Sequence, residues 1–193
     1  LLSKDLKPVK SDGGLQLLPT DTFSDCPDPL DVLFIPGGIG ISQIITDPEY
    51  IDFIRHKGTT TSYVTAVCTG SLVLAAAGLL DGYKATTHWL SLGLLSKFNV
   101  HASKDRVVTD RNRITGGGVT SGIDFALTIA AELFGEERAK EIQLMIEYDP
   151  RPPFKCGHPS VAEESLVNKI MESRKELQHA RGLLIDNILK KGP

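Results

Sequence analysis

The stretch Ser62-Tyr63-Val64-Thr65-Ala66-Val67-Cys68-Thr69-Gly70-Ser71-Leu72-Val73-Leu74 limits the possible folds of this chain more than any other. Its first half is β-branched and aromatic, which suits a buried strand. From Gly70 the character changes to Leu72, Leu74, Ala75, Ala76 and Ala77, which suits a buried helix. Cys68 stands at the junction, and Ala66-x-Cys68-x-Gly70 has the small-x-nucleophile-x-small spacing of a nucleophile elbow. Small residues are needed there because the chain reverses sharply and brings backbone close to the nucleophile. A thiol at that point faces the N-terminus of the following helix, where unpaired N–H groups and the positive dipole end favour thiolate. Cysteine is also among the most often buried residues, so inert core is the rival reading, and the elbow spacing decides against it.

The rest of the chain alternates strands with helices. Asp31-Val32-Leu33-Phe34-Ile35 is a continuous apolar run, the mark of a parallel strand covered on both faces, and it ends in Pro36-Gly37-Gly38-Ile39-Gly40. Residues 41–57 read as helical with an interruption at Asp47-Pro48. Asp12-Gly13-Gly14 marks a hairpin between Pro8–Lys10 and Leu15–Leu18, and Cys26 sits in a proline-rich surface loop. Short strands are expected around Lys84, Asn99 to His101 and Arg106 to Val108, with a helix over 90–97. Asp124 to Phe134 reads as an apolar helix stopped at Gly135, and Ala139, Ile142, Met145 and Ile146 put an apolar stripe on another. Ser160 and Glu163 form a capping box for one last amphipathic helix over 160–193, striped by Leu166, Ile170, Leu177, Leu184 and Ile188. Such alternation with right-handed crossovers predicts an α/β fold, a three-layer α/β/α sandwich around a mainly parallel sheet.

Composition excludes several function classes. A 193-residue chain fits one domain, long enough to bury about 70% of its unfolded surface. A net charge of -3 gives no reason to expect nucleic acid or an anionic membrane as partner. No apolar run reaches the length of a membrane span, and the N-terminus lacks a signal-peptide pattern. Three scattered cysteines, Cys26, Cys68 and Cys156, suit a reducing compartment, so the cytoplasm is expected. Cys156-Gly157-His158 is half a metal site without a second pair at zinc spacing, so no metal is expected.

The remaining candidates gather around Cys68. Gly37-Gly38 follows a strand but fails the dinucleotide fingerprint, because Gln43 occupies the third glycine position, and no Walker lysine is present. An oxyanion hole suits it better, with the Gly38 N–H and the Thr69 N–H as donors at the carboxyl edge of the sheet. His88 follows Thr86-Thr87 at a strand end and is expected on the same edge, to handle or orient a proton. Gly116-Gly117-Gly118-Val119-Thr120-Ser121-Gly122 joins a strand to a helix, and its glycines let backbone approach a small-molecule substrate closely. Capping that helix is the role assigned to Asp124.

With these residues placed, the chain resembles the ThiJ/PfpI superfamily, which is related to class I glutamine amidotransferase-like domains. The resemblance rests on Ala66 through Leu80, on Ala85-Thr86-Thr87-His88-Trp89, and on Thr115 through Asp124. Paired with Ile146-Glu147-Tyr148-Asp149-Pro150-Arg151-Pro152-Pro153-Phe154, these motifs are most similar to those of the isonitrile hydratases. The resemblance implies a flavodoxin-like homodimer without a cofactor, with Cys68 as nucleophile, Thr69 beside it in the active site and Val119 lining the pocket. Gly37, Gly118 and Thr120 complete the expected substrate-binding set.

The activity this implies is hydration of an isonitrile to an N-substituted formamide. Glyoxalase-like, amidase or peptidase chemistry on a carbonyl is the enzymatic alternative, although PfpI-type peptidases and amidases carry histidine where Thr69 stands. The non-enzymatic alternative is a redox or ligand sensor, like the sensor domain of AraC-type regulators. The single helix expected after Pro159 is too little for their helix-turn-helix reader.

The family's chain also begins earlier, with a central strand and an acidic residue that hydrogen-bonds the nucleophile. In a doubly wound sheet that strand lies beside the one ending in Pro36. Each buried group left unpaired without it costs about 1–3 kcal/mol, against a typical net stability of about 5–15 kcal/mol. A strand and helix ahead of Leu1 are therefore expected to complete the single domain 1–193, with a carboxyl group within reach of Cys68.

Overall fold

Residues 1–11 and 13–191 are described by a computed structural model of the chain. Four two-residue strands, β1 (Leu2–Ser3), β2 (Val9–Lys10), β3 (Gln16–Leu17) and β4 (Asp21–Thr22), precede β5 (Val32–Ile35), the apolar run ahead of Pro36. Then follow α1 (Ile41–Ile44), α2 (Pro48–Thr60), β6 (Tyr63–Val67), α3 (Gly70–Ala76), β7 (Lys84–Ala85) and α4 (Leu92–Leu95). After them come β8 (His101–Ala102), β9 (Val107–Asp110), β10 (Arg113–Gly116), α5 (Ser121–Phe134), α6 (Glu136–Met145), α7 (Glu164–Ser173) and α8 (Lys175–Lys191).

The main sheet has the order β5-β6-β10-β9, parallel except for the last pair. Its register aligns Leu33 with Val64 and Phe34 with Thr65, and β10 continues the rows with Arg113 and Ile114. Side chains alternate across a strand, so Leu33, Val64 and Ala66 share one face while Phe34, Thr65 and Ile114 share the other. The first face carries the main core, where Ile41 of α1, Ile54 of α2, Leu72 and Leu74 of α3, Leu95 of α4 and Ile185 of α8 converge. Full burial of such aliphatic side chains stabilises by about 1.5–3 kcal/mol each. The second face carries α5, whose Phe125 ring meets Phe34 at 5.7 Å between centroids. Helices therefore cover both faces of a mainly parallel sheet, the three-layer α/β/α sandwich that the alternation predicts.

Local chemistry sets the boundaries. Asp47 accepts the Glu49 N–H at 3.0 Å and Pro48 takes the first turn of α2, which is what interrupts the helical pattern of 41–57. β2 and β3 pair antiparallel as the expected hairpin, with Asp12 at its tip outside the described residues. β1 pairs in parallel with β4, and among the described residues β5 pairs with β6 and not with β1. No helix among the described residues is long and apolar enough to cross a membrane.

Four expectations need correction. Cys26 is buried, because Lys57 Nζ donates to the Cys26 and Pro27 carbonyls at 3.2 and 3.0 Å and draws their loop onto α2. Asp124 does not cap α5, which begins at Ser121; its carboxylate pairs with Arg106 and accepts the Tyr148 hydroxyl at 3.1 Å. The capping box at Ser160 is absent, since the Ser160 hydroxyl and N–H both engage the His158 ring and Glu163 makes no side-chain cap. The single last helix is two, α7 and α8, parted at Arg174. The apolar stripe lapses at Ser173-Arg174, where the two helices part. Residues 192–193 of that segment lie outside the described residues.

Candidate active site

β6 ends at Val67 and α3 begins at Gly70, which leaves Cys68 and Thr69 to make the reversal. Cys68 adopts φ 57°, a left-handed conformation that costs a residue with a Cβ about 1–2 kcal/mol. Its neighbours impose it. The Cys68 N–H donates to the Gly116 carbonyl at 3.0 Å, and the Cys68 carbonyl accepts the Thr87 hydroxyl at 2.8 Å. The thiol is free and partly exposed, and no carboxyl among the described residues hydrogen-bonds it.

The small residues around the elbow are dictated by close approach. A Cβ on Gly70 would lie 2.2 Å from the Ile35 carbonyl oxygen, and one on Gly37 would lie 2.7 Å from both Cys68 Cβ and the Thr69 nitrogen. Gly38 stands beside the elbow at φ 145°, but its N–H is engaged. It donates to Thr69 Oγ1 at 3.0 Å, and the Thr69 hydroxyl lies 3.3 Å from the Gly38 carbonyl. The expected oxyanion donor is thus held by the neighbouring threonine. The Thr69 N–H, at the position before α3, has no acceptor among the described residues.

His88 follows Thr87 and opens the 3-10 turn Trp89–Ser91, where its Nδ1 accepts the Leu90 N–H at 3.3 Å. That contact leaves Nε2 as the protonated nitrogen of the neutral ring. Burial, with the charges of Arg181 and Arg174, holds the ring below its usual value of 6.5 and so keeps it neutral. A methyl group on Gly118 would sit 3.6 Å from His88 Cδ2, so the ring faces the glycine turn. In that turn Val119 is 80% exposed, and the Thr120 carbonyl accepts Arg106 Nη2 at 2.9 Å. The structure thus brings Gly37, Gly38, Cys68 and Thr69 into direct contact, and ties His88 to them through Thr87 and Gly118. Cys156 and His158 instead line an apolar groove with Trp89, Leu166 and Ile170 that Cys68 does not enter. No group of three His, Cys, Asp or Glu among the described residues is placed to hold a metal.

One residue of the site was missed in the sequence. Arg181 of α8 is 4% exposed and reaches back to the elbow, donating Nη2 to the Gly38 carbonyl at 3.0 Å and Nε to Ser42 Oγ at 3.4 Å. The signal was present, because Arg181 falls between Leu177 and Leu184 on the stripe of that helix. A charge on an apolar stripe must find a partner inside.

The chain is similar to known proteins in both sequence and structure. The profile of the DJ-1/PfpI family matches residues 1–132. An isonitrile hydratase of Pseudomonas putida is 53% identical over 169 residues, covering 88% of this chain and 74% of its own length. The HTH-type transcriptional regulator GbdR of Pseudomonas aeruginosa is 35% identical over 150 residues, covering 77% of this chain but only 40% of the regulator. The crystal structure of a THiJ/PfpI family protein from Pseudomonas syringae superposes with a TM-score of 0.93 at 45% identity, covering 96% of this chain and 77% of that one.

Proposed function

The chain belongs to the DJ-1/PfpI family, and from that premise we propose that it hydrates isonitriles to N-substituted formamides with Cys68 as nucleophile. The observation that carries the reading is Cys68 held at φ 57° on the strand-to-helix turn, beside an N–H that has no acceptor among the described residues. The 53% identity to an isonitrile hydratase supports the substrate class.

In this reaction the Cys68 thiolate attacks the terminal isonitrile carbon and forms a C–S bond. A proton reaches the same carbon and gives a thioimidate. Water adds to that carbon, one of its protons goes to nitrogen and the other restores the group that protonated carbon, and the C–S bond breaks to return the thiolate and release the formamide. Charge that develops on the substrate meets the Thr69 N–H, with the Gly38 N–H as a second donor once its bond to Thr69 Oγ1 opens. His88, neutral and protonated at Nε2, orients water or passes a proton across the pocket. Gly37, Gly118, Val119 and Thr120 form its walls, with Val119 as the exposed side chain that contacts substrate. The reaction needs no cofactor. The reading takes the protein as a cytoplasmic homodimer. Its three free cysteines suit a reducing compartment, and Phe134, Leu144 and Met145 present apolar surface on α5 and α6.

The same thiolate and donors suit attack on a carbonyl, as in glyoxalase-like or amide-cleaving chemistry. The GbdR similarity favours a second reading, a ligand or redox sensor. In this chain α8 packs on α4 and sends Arg181 to the Gly38 carbonyl beside the elbow, so the segment after Pro159 belongs to this domain. One assay separates them: an aryl isonitrile, methylglyoxal and a simple amide are each offered to wild type and to Cys68→Ala. The proposal expects formamide from the isonitrile alone, abolished in the variant. Turnover of methylglyoxal or amide in preference selects carbonyl chemistry, and binding without turnover selects the sensor.

A further inference from the structure

We infer that Arg181 is the positioning residue of this site, the fixed cation that α8 sets against the Cys68 thiolate while it clamps the Gly38 turn. The inference rests on the proposed function only in taking Cys68 as the nucleophile.

A guanidinium removed from water costs several kcal/mol unless an anion answers it. Arg181 is buried, yet no carboxylate among the described residues pairs with it, and its hydrogen-bond acceptors are the neutral Gly38 carbonyl and Ser42 hydroxyl. Neutral acceptors satisfy N–H groups but do not balance a charge. Burial pushes the Arg181 guanidinium down, and the charge of Cys68 is the one group that pushes it back up. A fixed cation beside a thiol favours the thiolate, and the buried Arg181, bonded to Gly38 next to the elbow, is placed to act as one. The other charged or titratable groups facing this pair are His88, held neutral, and Arg174 at the end of α7, whose charge also reaches His88. Neither supplies an anion to Arg181.

The contact with Gly38 adds a second effect. Arg181 holds the carbonyl of the same residue whose N–H is held by Thr69 Oγ1, so Gly38 is fixed on both sides, one of them by the residue that follows Cys68. A C-terminal helix remote in sequence thereby sets both the charge and the backbone geometry at the nucleophile.

The test measures the rate of Cys68 alkylation by iodoacetamide against pH in wild type, Arg181→Met and Arg181→Lys. Peptide mass spectrometry separates Cys68 from Cys26 and Cys156. Methionine fits the apolar stripe between Leu177 and Leu184, so Arg181→Met is chosen to keep α8 docked, with circular dichroism as the check on folding. The expected result is an Arg181→Met profile displaced upward by about one unit, which is a fall of about tenfold in rate on its acid limb. Arg181→Lys should recover most of the loss. An Arg181→Met profile that overlays wild type would overturn the inference, as would an Arg181→Lys profile displaced as far as that of Arg181→Met. Alkylation involves no isonitrile, so a failure of isonitrile turnover bears on the proposed function and not on Arg181.

Discussion

The neighbouring parallel strands β6 and β10 both pass into helices at the same edge of the sheet, and they do so in opposite ways. After β6 the reversal takes two residues, puts a cysteine in a left-handed conformation, and leaves no room for one additional carbon at Gly37 or Gly70. After β10 the chain takes four residues, Gly117 to Thr120, and exposes Val119 to solvent. A methyl group on Gly118 would make only an ordinary contact with His88. The first turn has one allowed geometry and holds the proposed nucleophile. The second has slack and carries the residues proposed to meet substrate. Under the proposed function, preorganisation of the nucleophile and adaptability of the pocket wall fall to different strand ends.

The largest expected effect comes from adding a methyl group to each turn. Gly70→Ala forces a Cβ to 2.2 Å from the Ile35 carbonyl oxygen. Overpacking of this kind costs about 3 kcal/mol, which exceeds the gain of about 1 kcal/mol from placing alanine in a helix. Gly118→Ala should change stability by less than about 1 kcal/mol in either direction. Urea denaturation of the two variants measures both, and equal losses would erase the contrast between the turns.

A smaller effect is expected at Thr69. Thr69→Val removes the acceptor of the Gly38 N–H at 3.0 Å, and because Gly38 is exposed, water can take up the freed donor. The same change frees that N–H for substrate. Stability should therefore fall by only about 1 kcal/mol, the net worth of one hydrogen bond, while Cys68 stays alkylatable. Loss of alkylation along with stability would show that Thr69 also shapes the elbow itself.

The smallest effect lies on the slack side, at His88. The folded protein resists protonating this ring, whereas the unfolded chain protonates it near the usual value of 6.5. Below that pH the unfolded state binds more protons, so stability falls on acidification and rises again with pH until it levels above 6.5. His88→Asn keeps a cap for the Leu90 N–H and removes the titration. Thermal melts at several pH values should show wild type losing ground to His88→Asn below that point, and parallel curves would mean that the ring is not held neutral.

How much of this was legible before the structure follows from the range of the interactions. The elbow was readable because strand propensity, helix propensity and the Ala66-Cys68-Gly70 spacing lie within a dozen residues and agree. The glycine turn at Gly116 to Gly118 and the start of α2 at Asp47-Pro48 were readable for the same reason. What escaped depends on partners far along the chain. The Gly38 N–H looked like an open donor because its acceptor, Thr69 Oγ1, is 31 residues away. Asp124 looked like a cap until Arg106 and Tyr148 claimed its carboxylate. Arg181 bonds to a carbonyl 143 residues earlier, and only its place on an apolar stripe hinted that it turned inward.

The central claim is that Cys68 forms a covalent bond to the isonitrile carbon. Intact-protein mass spectrometry after acid quench, within the first turnovers on an aryl isonitrile, tests it most directly. The account predicts a species heavier by the full mass of the isonitrile, since the thiolate adds without a leaving group, mapped to the peptide carrying Cys68 and absent from Cys68→Ala. Formamide production by Cys68→Ala at the wild-type rate, or an adduct confined to Cys156, would contradict it.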